Sequence, residues 1–165
     1  MKNKKILVTG VSGYIGSTFT YEALKKGFNV VGIDNFSNSS PIIISKLLDK
    51  FPKNFTFYEI DIRDVKKLNQ LFMSERDLDC IVHFAALKSV AESQKNTELY
   101  HENNVYGTKN LLNASEKANV KNIVFSSSAA VYGENEIQPV SEKTLPNPVS
   151  FYAKTKLECE KIIKH

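Results

Sequence analysis

The chain has 165 residues, 42% hydrophobic and 24% charged, with a net charge of +4 at pH 7. That composition is ordinary for a globular protein, and the length fits one domain that buries roughly 70% of its unfolded surface without staples. The excess charge comes partly from Lys2, Lys4 and Lys5 at a solvated terminus, and no basic stripe with interleaved aromatics points to nucleic acid. Two cysteines, Cys80 and Cys159, give neither metal spacing nor a disulfide framework. No stretch reads as a signal peptide or membrane span, so the expectation is a cytoplasmic protein with no membrane partner.

Strand and helix patterns alternate along the chain. Lys5–Thr9 reads as a strand and Tyr14–Lys26 as a helix stopped by Gly27. Asn29–Ile33 is a β-branched apolar run, followed by the polar turn Asn35–Ser40. Pro41 suits a first helical position, which predicts a helix over Pro41–Lys50. Phe55–Ile60 is strand three, Asp61 to Asp64 a turn, and Val65–Met73 a helix. Cys80–Phe84 is strand four, with Cys80 a small buried hydrophobe. Leu87–Gln94 is a loop or short helix, and Leu99–Ala118 a long helix. Asn122–Ser127 is strand five, Val131–Pro148 a proline-containing loop, and Ser150–Ile163 a helix capped by Ser150.

Apolar strands alternating with amphipathic helices predict an α/β fold with a parallel sheet covered on both faces. Right-handed crossovers favour the doubly wound (Rossmann) order 3-2-1-4-5, with ligands at the carboxyl rim where strands one and four diverge. The polar clusters fall on that rim: Gly10, Asp34, Asp61, the segment after Phe84, and Ser126–Ser128.

Gly10, Gly13 and Gly16 punctuate the first strand-to-helix turn as G-x-x-G-x-x-G, with Tyr14 and Ile15 opening the helix. Gly10 permits the tight turn, Gly13 lets a phosphate approach the backbone, and Gly16 lets the helix lie close on the strand. The helix N-terminus then offers unpaired N–H groups and its positive dipole end to a pyrophosphate. Asp34 at the end of strand two can accept hydrogen bonds from an adenosine ribose and would repel a 2′-phosphate. Asn35-Phe36-Ser37 carries no cation to neutralise one, so NAD is favoured over NADP. Asp61 and Ile62 are candidates for the adenine edge.

Tyr152 and Lys156 stand four apart on the last helix and share a face. A nearby ammonium and a cationic nicotinamide both favour the phenolate of a tyrosine whose ordinary pKa is ~10, which suits a base. Tyr21 and Lys25 repeat the spacing but sit on the first helix, away from any strand end, as a surface pair. Ser128 after strand five can hold the oxygen that Tyr152 deprotonates.

Together, the glycine turn, the strand-two aspartate and the Ser…Tyr-x-x-x-Lys set make the chain resemble the extended short-chain dehydrogenase/reductase family, in its NAD-dependent epimerase/dehydratase branch. The stretches His83–Ser93, Asn103–Thr108, Phe125–Gly133 and Tyr152–Lys156 carry the match, which runs from Ile6 to the end. The resemblance implies NAD as resident cofactor, a UDP-sugar substrate, and interconversion of UDP-glucose and UDP-galactose by oxidation at C4 and hydride return to the opposite face. It implies that Tyr152 takes the proton of the 4-hydroxyl, Ser128 assists, and Lys156 holds the nicotinamide ribose. It places Phe84, Ala85, Lys88 and Asn103 along the cofactor.

The resemblance also implies a homodimer through Leu99–Ala118 and Ser150–Ile163. Two departures stand out. Ala130 replaces a hydroxyl residue common in the branch, and family members continue past the Tyr-x-x-x-Lys helix into a substrate domain. The expectation is therefore that residues 1–165 are the NAD-binding domain, without that substrate domain. A catalytically silent NAD-binding module is one alternative. A nucleotide-sugar 4,6-dehydratase is another, but those carry an Asp-Glu pair where this chain has Ala129-Ala130.

Overall fold

The computed structural model describes residues 4–134 and 138–164. Lys2, His165 and part of the Val131–Pro148 loop lie outside the described residues. The chain divides into two compact units, Met1–Ala85 with Asn110–Ser126 and Ala86–Lys109 with Ser127–His165.

The first unit holds the whole sheet. Strands β1 (Lys5–Thr9), β2 (Asn29–Asp34), β3 (Phe55–Glu59), β4 (Cys80–His83) and β5 (Ile123–Phe125) pair in parallel in the order β3-β2-β1-β4-β5. The expected 3-2-1-4-5 topology is thus the observed one. Period-two alternation in a sheet covered on both faces explains the apolar run Ile6–Val8 in β1. Leu7 joins Val31, Ile33, Ile81, Leu68 and Leu111 on one face, while Ile6 and Val8 join Val30, Val82, Leu24 and Ile44 on the other. Helices α1 (Tyr14–Lys25) and α2 (Ile42–Lys50) supply Leu24 and Ile44 to the second face. Helix α3 (Val65–Ser74) supplies Leu68 and Leu71 to the first.

Registry brings the strand ends onto one rim. Thr9 pairs with Ile33 and His83, Asp34 with Glu59, and His83 with Phe125. Asp34 is the last residue of β2, one beyond the expected end. Cys80 is half-buried at the start of β4, because an edge-proximal strand entry leaves one side open, and this corrects its reading as a buried hydrophobe. Pro41 precedes the first helical residue of α2 in a helical conformation.

The second unit contains α4 (Val90–Lys95), α5 (Thr97–Tyr100), the start of α6 (Gly107–Lys117) and α7 (Phe151–Lys164). The single helix expected over Leu99–Ala118 is interrupted by a π turn, His101–Tyr106, between α5 and α6. Its cause lies in Asn103 and Asn104, two polar residues on a buried face. The Asn104 carbonyl accepts from Thr108 Oγ1 at 2.6 Å and from the Cys159 thiol at 3.2 Å. Such π turns concentrate at functional sites.

Candidate active site

In the first unit the glycine turn is built by the backbone itself. Gly10 and Val11 donate their N–H groups to Ile33 O at 2.9 and 3.3 Å, and Gly13 donates to Gly10 O at 3.1 Å. Ser12 N–H donates to Asp34 Oδ2 at 2.9 Å. The N–H groups of Tyr14, Ile15 and Gly16 at the start of α1 have no intrahelical acceptor, Ser17 N–H being the first to find one in Gly13 O at 2.9 Å, and the Gly13 cap has no side chain to supply another. Helices α3 and α4, by contrast, are capped by Asp64 and Ser89. Tyr14 and Ile15 are exposed, 86% and 58%.

The three glycines are required for different reasons. Gly10 adopts φ +70°, and a Cβ there would meet Ala85 N at 2.7 Å. At Gly16 a Cβ would meet Gly10 O at 2.1 Å. At Gly13 it would touch only Gly10 O, at 3.3 Å. Packing therefore demands Gly10 and Gly16, whereas at Gly13 a side chain would need only a small shift of the Gly10 carbonyl. Beneath the turn, Ala85 N–H donates to Thr9 Oγ1 at 3.1 Å, and Thr9 Oγ1 lies 2.6 Å from His83 Nδ1. This buried pair locks the exit of β4 and fixes Phe84 and Ala85.

Asp34 is buried, and its carboxylate is already partly engaged. Oδ1 accepts from Phe36 N–H and Ser39 Oγ, both at 2.9 Å, and Oδ2 accepts from Ser12 N–H. A carboxylate offers about four acceptor sites, so the remaining one is on Oδ2. Asp61 is not the cap of α3, a role Asp64 fills by accepting from Lys67 N–H. Instead Asp61 is clamped by Arg63, through Nε at 3.0 Å and Nη2 at 2.7 Å, and by Asn35 Nδ2 at 2.8 Å. The Arg63 hydrogen bonds hold its carboxyl down to about 2 against the opposing effect of burial. The Ile62 side chain is core, leaving only its backbone for any ligand.

In the second unit, the first turn of α7 is satisfied by side chains. Phe151 N–H donates to Gln94 Oε1 at 3.0 Å, Tyr152 N–H to Ser93 Oγ at 3.1 Å, and Ala153 N–H to Ser150 Oγ at 3.1 Å, as the expected Ser150 cap requires. Asn104 then ties the 87 loop to α7. Its Oδ1 accepts from Leu87 N–H at 2.8 Å and Asn103 Nδ2 at 3.0 Å, and its Nδ2 donates to Leu87 O at 3.0 Å and Thr155 Oγ1 at 3.1 Å. All its hydrogen-bonding capacity is used, which fixes one arrangement.

Tyr152 is half-buried and Lys156 is 4% exposed, one turn apart on α7. Burial pushes the Lys156 ammonium down to about 8, against the opposing influence of Cys159 and Glu160. Ser128 starts a 3-10 turn, Ala129–Tyr132, and its Oγ accepts from Ala130 N–H at 3.2 Å. Gly133 closes that turn at φ +69°, where a Cβ would strike Asn147 O. Lys88 is exposed and Asn103 is buried. Tyr21 and Lys25 form the expected separate pair, with the Lys25 ammonium 5.5 Å from the Tyr21 ring centroid. Asn104, Ser93 and Thr155 went unread in the sequence, although a polar residue on the buried side of a helical pattern was the available signal.

Residues 7–165 match the family model described as GDP-mannose 4,6 dehydratase. The UDP-glucose 4-epimerase of Bacillus subtilis (strain 168) is 42% identical over 159 residues, covering 96% of this chain and 47% of the relative. Among solved structures, the UDP-Glc/GlcNAc 4-epimerase of Campylobacter jejuni superposes with TM-score 0.93 at 37% identity, over 98% of this chain and 48% of that one. The UDP-glucose 4-epimerase of Bifidobacterium longum, solved in complex with NAD+ and UDP, matches at TM-score 0.92 and 37% identity, with the same coverage. The chain spans about half the length of these relatives. No helix among the described residues is long and apolar enough to cross a membrane. By the extent of the family match, this chain belongs to the NAD-dependent epimerase/dehydratase family.

Proposed function

We propose that the chain is the NAD-binding, acid–base part of a UDP-glucose 4-epimerase, acting on UDP-glucose and UDP-galactose. The observation that carries the cofactor reading is Gly13, a glycine less tightly enclosed than Gly10 or Gly16, capping a helix whose first N–H groups lack side-chain acceptors. Those features fit a pyrophosphate. In the first unit Gly10, Gly13, Tyr14, Ile15 and Gly16 would serve the phosphates and Asp34, with Asn35, the adenosine ribose. Asp61 and the backbone of Ile62 would serve the adenine, and Phe84 and Ala85 would line the cofactor. In the second unit Lys88, Asn103, Tyr152 and Lys156 are its proposed ligands.

When bound, NAD supplies reversible hydride acceptance at the sugar C4. The protein's own residues handle the proton. Tyr152 takes it from the 4-hydroxyl and returns it, and Ser128 orients that oxygen. The Lys156 ammonium favours the charged form of a phenol one turn away. The curated relatives' names favour epimerisation, and Ala129-Ala130 lacks the acid and base that water elimination needs.

The test is conversion of UDP-galactose to UDP-glucose, measured on this chain and on a version lengthened by the C-terminal half of the Bacillus relative. Turnover in the lengthened form supports the reading. Its absence in both forms overturns it. We also propose a second copy of this chain as partner, supported by the exposure of Leu99 (38%) and Tyr106 (51%) on the helical segment preceding α6. Sedimentation should show a dimer that Tyr106→Glu dissociates; a wild-type monomer would refute this.

A further inference from the structure

We infer that Glu160 is a positioning residue that ties the segment carrying Ser128 to the helix carrying Tyr152 and supplies the standing negative charge beside Lys156. The inference rests on the roles proposed above for those three residues. Tyr152, Lys156 and Glu160 follow one another at four-residue intervals, so they form a single stripe along α7. The Ser127 hydroxyl donates to Glu160 Oε1. Ser127 directly precedes Ser128, whose own Oγ accepts from Ala130 N–H. One carboxylate thus reaches from the stripe to the backbone that presents the serine.

Its second task is electrostatic. Burial is the strongest influence on Lys156 and disfavours its charge, while Cys159 and Glu160 act in the opposite sense. The Cys159 thiol is itself pushed above its ordinary value by burial, so it carries no charge near neutrality. That leaves Glu160. Among the described residues, Glu158 lies 3.2 Å from His101 and 3.9 Å from Lys109, and Glu92 accepts from the Tyr100 hydroxyl at 2.9 Å. A buried ammonium without a facing carboxylate loses its proton more readily, and with it any influence on the Tyr152 phenol.

Three variants separate the tasks. Glu160→Gln keeps an oxygen that can accept from Ser127 but removes the charge. Ser127→Ala removes the tie and keeps the charge. Glu160→Ala removes both. The full chain, labelled at lysine Cε with carbon-13 and free of cofactor, is titrated by NMR, with Lys156→Arg assigning the resonance. The Lys156 midpoint should fall by about half a pH unit or more in Glu160→Gln and stay in place in Ser127→Ala. Amide exchange over residues 127–130 should rise about tenfold or more in Ser127→Ala and not in Glu160→Gln. An unmoved Lys156 midpoint in Glu160→Gln, or unchanged exchange in Ser127→Ala, overturns the inference. Neither readout needs NAD or turnover, so failure here is distinct from failure of the proposed function. If Glu160→Ala does not fold, the other two variants still decide the matter.

Discussion

Lys156 is held almost wholly out of water, and the sign of its effect on stability follows from that. Its folded value of about 8 lies below the ordinary 10.5. Between those values the unfolded chain binds more protons than the folded one, so stability rises with pH across this window; at neutral pH the burial penalty is fully present. Lys156→Met should therefore stabilise the chain by roughly 1–3 kcal/mol in urea unfolding at pH 7 while removing epimerisation in the lengthened protein. A destabilised Lys156→Met would contradict this. Asp61 gives the same sign of pH slope from the opposite cause, a charged form that the fold stabilises. Its folded value of about 2 lies below 3.8, so its contribution is present above pH ~4 and is lost as pH falls toward 2. Arg63→Ala, which removes the main cause, should move the acid-unfolding midpoint to higher pH; an unchanged midpoint would show the clamp to be inert. The spacing of Tyr152 and Lys156 was legible in the sequence. The engagement of Asp34 by Ser12, Phe36 and Ser39 was not, because it depends on how two loops fold over one strand end.

Among the elements, the glycine turn makes the sharpest separation between folding and binding. Gly10→Ala forces a side chain into positive φ against Ala85, and Gly16→Ala drives one into Gly10 O. Each should cost about 1–3 kcal/mol in denaturant unfolding. Gly13→Ala should cost under about 1 kcal/mol yet weaken NAD binding strongly, since its methyl would stand over the helix start. Equal unfolding costs at all three positions would show that Gly13 is structural too. The turn could be read because each glycine marks a local backbone need. The π turn could not, since Leu99–Ala118 carries an apolar helical period throughout. The buried polar residues Asn103, Asn104, Thr108 and Ser115 interrupt it, and the Asn104 partners Leu87 and Thr155 are remote in sequence. Strand boundaries erred by one or two residues for a similar reason: β5 spans only Ile123–Phe125 because parallel registry with β4 ends there.

For the molecule as a whole, the order of the sheet follows from alternation, period and crossover hand, and these are local enough to read along the chain. The division into two units is not local. It separates the sheet, with Asp34 and the glycine turn, from the helices carrying Ser128, Tyr152 and Lys156. The proposed proton-transfer residues all lie in the second unit. We propose that this chain binds NAD through the start of α1 and Asp34, which calorimetric titration with NAD and NADP decides. One saturable NAD site is expected, weakened about tenfold or more by Asp34→Asn and by Gly13→Ala, with NADP bound far more weakly than NAD. No saturable NAD binding by the wild-type chain, or equal binding of NADP, would contradict it.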